Sequence, residues 1–140
     1  MKPGLLQFKK ASQIANQLDI TCWIGYSGKA SEADMDERAI YIDLNEAITI
    51  QQFWSLFFHE LAHVWCYDHD KYYIYHNDAL PHKQLGDYIR RMGLRIERYV
   101  DKVGKKLMKQ YFPRMRYLPA YKSKTDVQFY KDWVKTNYPL

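Results

Sequence analysis

At 140 residues the chain has the length of one compact domain, and with 47% hydrophobic and 16% aromatic residues it is no disordered chain, collagen-like repeat or coiled coil. The formal charge of +5 is unevenly divided: residues 1–101 hold 11 Lys/Arg against 14 Asp/Glu, whereas residues 102–140 hold 10 against 2. No apolar run reaches bilayer-spanning length, the N-terminal residues lack the apolar core of an export signal, and Cys22 and Cys66 read as reduced thiols, so a cytoplasmic protein without membrane contact is expected.

In chain order, residues 9–18 form a short amphipathic pattern, with Ile14 and Leu18 on one face and Ser12 near the expected helix start. Residues 20–26 then alternate as a half-buried strand does. A polar stretch from Ser27 to Arg38, containing Gly28, separates this strand from a second at 39–44, and the two are expected to form a hairpin or to be neighbours in a small sheet. Thr49 and Gln52 have the spacing of a capping box. The helix they open runs through Phe53, Phe57, Leu61 and Val64 to about Tyr67, and it is apolar on nearly every side, as a buried central helix is. Asp68 to Pro81 reads as loop. From about His82 to Phe112 a three-four spacing returns (Leu85, Ile89, Met92, Ile96, Val103, Leu107), and Pro113 ends it. The basic, aromatic remainder holds one further short helix, from Thr125 to Val134.

All five histidines (59, 63, 69, 76 and 82) fall in one short window, which is where chemistry is sought first. His59-Glu60-Leu61-Ala62-His63 is an H-E-x-x-H sequence. Histidines four apart on a helix project from one face, which suits two ligands of a tetrahedral zinc, and the intervening Glu then faces the metal's water as a general base. Zinc needs a third protein ligand, and three residues compete for the role. Glu97 lies on a helical face with Gly86, Gly93 and Gly104, which lets another helix come close; His82 follows Pro81; and His69 would extend the motif by a second interval. Glu97 is preferred. Asp101, one turn beyond Glu97, is placed to accept a ligand histidine's N–H, as are Asp68 and Asp70. Cys66 as a fourth ligand would close the site and make it structural, and the Tyr72–His76 run is a candidate source of an oxyanion donor.

A strand ending in Asp43-Leu44-Asn45, then HELAH, then Glu97-x-x-Val100-Asp101 on a later helix resembles the ImmA/IrrE group of zinc metallopeptidases over residues 39–113. That resemblance implies a minimal zincin fold with His59, His63 and Glu97 on zinc and Glu60 as catalytic base. HELAH followed by Pro81-His82 and Met92-Gly93 is also similar to SprT-like proteases, which would make His82 the third ligand and place the work near DNA.

The expected fold class is α+β: a small, mostly antiparallel sheet packed on the HExxH helix and the long helix bearing Glu97. Residues 1–113 form the expected metallopeptidase domain, and 114–140 a basic aromatic extension packed on it or flanking it. The expected partner is a protein or peptide substrate, which could add to the strand at 39–44 if that strand is an edge. Nucleic acid through the basic tail is the less favoured partner. The rival to an enzyme is a non-catalytic binding module that contains zinc.

Overall fold

The computed structural model of the chain describes residues 1–28, 30–69, 82–120 and 124–137; the side chains of 82–91, 124–126, 129–130 and 137 lie outside that description. Helix α1 (Leu5–Gln17) leads to strand β1 (Thr21–Gly25), then β2 (Glu32–Asp34) and β3 (Ala39–Asp43). Helices α2 (Ile50–Asp68), α3 (His82–Tyr111) and α4 (Lys124–Asn137) follow. The class is α+β. No described helix is long and apolar enough to cross a membrane.

Helix α1 starts earlier than its pattern indicates. The backbone N–H of Gly4 donates to Gln7 Oε1 at 2.8 Å, capping the first turn. The side chains added there, Leu5 and Leu6, are exposed, so this turn contributes nothing to the amphipathic signal. The buried face is Ala11, Ile14 and Ala15, packed beside Ile20 and Ile40.

The sheet order is β1-β3-β2, with β1 parallel and β2 antiparallel to β3. This mixed sheet corrects the expectation of a mostly antiparallel one. The polar stretch after β1 hides the reason: it contains β2, three residues with no buried side chain, which turns back through Arg38 (φ 48°) into β3. Arg38 is held in that left-handed conformation by a fork of bonds to Asp68, at 2.7 and 3.2 Å, and by donation to the carbonyls of Leu18 and Asp19. Strand β3 therefore lies in the centre of the sheet. Both of its edges are paired, so the strand at 39–44 cannot accept an added peptide as the sequence reading proposed.

Helix α2 begins where its capping box says it should. Gln52 N donates to Thr49 Oγ1 at 3.1 Å, and Gln52 Oε1 accepts from Thr49 N at 3.1 Å. Phe53, Trp54, Phe57, Phe58, Leu61 and Val64 are buried on different sides of it, which makes it the axis of the molecule. Its flank at Ala62 and Cys66 packs on Ile96, Val100 and Val103 of α3. Helix α3 is continuous through Gly93 and stops two residues before Pro113. Beyond it, the chain crosses back over α2. Gln51 Nε2 donates to the Arg116 carbonyl at 2.9 Å, Leu118 N donates to Ser55 Oγ at 3.0 Å, and Tyr117 is buried in the main core. Helix α4 includes the short helix expected at 125–134 and packs on α3, with Val134 buried.

The two helices approach closely at Gly104. A Cβ there would stand 2.9 Å from Tyr117 Oη, 3.1 Å from the Phe58 carbonyl oxygen and 3.3 Å from its carbon. Backbone cannot move aside as a flexible side chain can, so overpacking outweighs the helix propensity that alanine adds. Gly104→Ala is expected to cost about 1–2 kcal/mol of unfolding free energy in urea denaturation; unchanged or raised stability would show that the helices do not meet this closely.

Candidate metal centre

His59 and His63 stand one turn apart on the face of α2 turned toward α3, with ring centroids 5.0 Å apart. From α3, Glu97 reaches both: its Oε2 lies 2.9 Å from His59 Nε2 and 3.3 Å from His63 Nε2. One ligand atom from each residue lies within 4.8 Å of the other two, and among the described residues these three form the group able to hold a cation. Ligand atoms on a tetrahedral zinc, at ~2.0–2.2 Å from the metal, stand about 3.3–3.6 Å from one another. The two spacings from Glu97 Oε2 lie at or slightly below that range.

The donor set passes a second test. Glu97 Oε2 is buried with no hydrogen-bond partner, although two imidazole nitrogens lie within ion-pair distance. Close approach without hydrogen-bond geometry is what lone pairs aimed at a shared point produce. A buried carboxylate oxygen left without a hydrogen bond is costly, and a cation between the three atoms would remove that cost.

Asp101 orients the first histidine. Its Oδ1 lies 2.9 Å from His59 Nδ1, which therefore carries the proton and leaves Nε2 facing Glu97. Asp101 is itself held by Tyr117 Oη, which donates to Oδ1 at 2.7 Å, and by the backbone N–H of Ala120, 3.1 Å from Oδ2. Burial and the Asp101 carboxylate raise the Tyr117 pKa, so the phenol stays a donor.

Charge follows the same pattern. Burial opposes a positive His59, yet Asp101 and Glu97 outweigh it and raise its pKa well above the ordinary imidazole value. Burial also opposes a negative Glu97, yet the imidazoles of His63 and His59 outweigh it and hold the carboxyl well below the usual carboxylate range. The surroundings of both groups thus favour positive charge between the three side chains.

Glu60 stands apart from this set. It is buried and lines a cleft of about 500 Å³, together with His59, Ser55, Leu56, Leu118 and Ala120. Burial raises its pKa, and Glu97 and Glu46 add to that, while the two imidazoles pull the other way.

Of the other residues singled out from the sequence, His69 caps α2: its ring stacks on Trp65 at 3.9 Å, and its Nδ1 lies 2.8 Å from the Trp65 carbonyl oxygen. It does not join the cluster. Cys66 is buried in the α2–α3 contact and does not join it either. Asp68 is engaged by Arg38 rather than by a histidine. The side chain of His82 lies outside the described residues, as do Asp70, Tyr72, Tyr73, Tyr75 and His76.

Sequence reasoning missed Tyr117 and the Ala120 N–H. They lie 16 and 19 positions from Asp101, in a segment read for its basic charge and its aromatic residues rather than for a contact with the site. The one available signal is the pair Pro113 and Pro119, which marks a stiff, non-helical stretch between two helices. Set against models of known protein families, curated proteins and solved structures, the chain matches none of them.

This geometry predicts a graded response to substitution, read by zinc competition with a chelating dye. Glu97→Ala is expected to abolish tight binding, Asp101→Asn to weaken it about 10–100-fold, and His82→Ala to leave it intact. Full affinity in Glu97→Ala together with loss in His82→Ala would transfer the third ligand position to His82.

Proposed function

We propose that this protein is a zinc-dependent metallopeptidase in which His59, His63 and Glu97 hold the metal and Glu60 moves the proton. The observation that carries this reading is the orphaned Glu97 Oε2, buried between two imidazole nitrogens beside a cleft that Glu60 lines. Two histidines and one carboxylate are the donor set of an open catalytic zinc site, with a fourth position left for water or substrate. A bound zinc would supply water acidified toward a pKa of ~7 and a polarised substrate carbonyl.

The chain's own groups supply the rest of the mechanism. The Glu60 carboxylate accepts the proton of the attacking water and returns it to the leaving amine nitrogen. Burial raises its pKa above the ordinary carboxylate value, the direction that favours a group that both takes and gives a proton. Asp101, steadied by Tyr117 and Ala120, keeps His59 in the tautomer that presents Nε2. A purely structural zinc would call for a fourth protein ligand, and among the described residues none joins the three, Cys66 being packed against Ile96, Val100 and Val103.

Peptide is the substrate class that fits the surroundings. Strand β2 pairs with β3 along one side only and begins at Glu32, next to Ser31 of the cleft lining. An extended substrate adding to the edge of β2 that no described strand pairs would lie beside the cleft that Glu60 lines.

Glu60→Gln is expected to keep one zinc per chain while losing peptide hydrolysis by about 10²–10⁴-fold. Zinc content by elemental analysis and turnover of a peptide mixture followed by mass spectrometry measure the two halves. Undiminished turnover in the variant would remove Glu60 from its role and the peptidase reading with it.

A further inference from the structure

The cleft beside Glu60 carries a chemical bias of its own. Most polar atoms that line it are occupied in holding the fold. Gln52 Oε1 accepts from Ile48 N and Thr49 N, Ser55 Oγ accepts from Leu118 N, and Ser31 Oγ accepts from Asp43 N. Glu46 differs. Its side chain is exposed at the wall of the cleft, where Oε1 accepts from the Ser31 N–H at 2.6 Å, while its Oε2 has no hydrogen bond or ion pair among the described residues. Glu60, buried and without a hydrogen bond among the described residues, lines the same space.

Two carboxylates thus face one cavity, and no Lys or Arg among the described residues lines it. Like charges across a cavity repel, and a positive group entering between them relieves that repulsion. Leu56 and Leu118 add apolar surface on which an alkyl stem can lie with its charged end reaching a carboxylate.

Building on the peptidase reading above, we propose that the cleft selects peptides with a lysine or arginine beside the scissile bond, Glu46 receiving the cationic head group. Because the Ser31 N–H already holds the Glu46 carboxylate, little side-chain freedom is lost when the ion pair forms. The Glu46 carboxylate forms a charge-assisted hydrogen bond with the substrate and takes no part in proton transfer.

The test uses internally quenched peptides in which lysine, or its uncharged isostere norleucine, is walked through the positions flanking the cleaved bond. The zinc-loaded wild-type protein is expected to favour lysine at one position by about tenfold or more in kcat/KM, the scale of a hydrogen bond to a charged group. Glu46→Gln keeps an acceptor for the Ser31 N–H and is expected to bring that ratio toward one; Glu46→Lys is expected to favour glutamate there instead. Fluorescence anisotropy with the same peptides on zinc-loaded Glu60→Gln reads binding without turnover. A lysine preference in binding that disappears when Glu46→Gln is added, with no cleavage by wild type, would retain Glu46 and discard the peptidase reading. Equal handling of lysine and norleucine peptides in both assays, absence of binding included, or a lysine preference that survives Glu46→Gln, would overturn the role of Glu46.

Discussion

The Oε2 atom of Glu97 sits at 2.9 and 3.3 Å from two imidazole nitrogens, buried and without a hydrogen bond, and most of the site's construction answers that arrangement. An anionic oxygen in such a place needs positive charge beside it. Asp101 and Glu97 raise the His59 pKa against the effect of burial, and the imidazoles of His63 and His59 lower that of Glu97, so the cluster favours positive charge at this point. A cation bound by all three ligand atoms would meet the same need. The cluster is thus preorganised: its electrostatic cost is already borne by the fold, and metal binding would offset it.

Such a cost needs a stiff frame, and the α2–α3 contact is that frame. Glu97 reaches the histidines because Ala62 and Cys66 of α2 mesh with Ile96, Val100 and Val103 of α3, and because Gly104 lets the backbones approach at Phe58. The segment after Pro113 locks the pair from outside. Tyr117 fills the space above Gly104, and its hydroxyl holds Asp101, which in turn holds His59. One residue therefore serves packing and tautomer control together, linking the basic C-terminal part of the chain to the ligand set.

Uneven charge along the chain takes on a local meaning in this frame. The acidic part provides Glu46 and Glu60 at the cleft, while the chain beyond residue 101 supplies packing, through Tyr117, and backbone donors, through Leu118 and Ala120. Net charge alone pointed toward nucleic acid. Burial and hydrogen bonding direct attention to the cleft instead, because an interaction at close range in a cleft outweighs a diffuse excess of lysines in water.

What the sequence determined by itself was local and periodic. The capping box at Thr49 and Gln52, the apolar periods of α2 and α3, the stop before Pro113 and the His59–His63 spacing all depend on residues within a turn or two of each other. Glu97 was legible as a candidate because the glycine-rich face of α3 marks a close approach, and Asp101 because it lies one turn beyond Glu97, but their partner atoms were not. The tertiary structure alone decided the sheet order, since β2 buries no side chain and its only signature is pairing with β3. It also decided that β3 is central, that His69 and Asp68 are engaged elsewhere, and that Tyr117 and Ala120 hold Asp101. The reason is physical: periodicity reports which face of an element is buried, whereas hydrogen bonds between distant segments depend on where those faces meet, and no short-range pattern encodes that meeting.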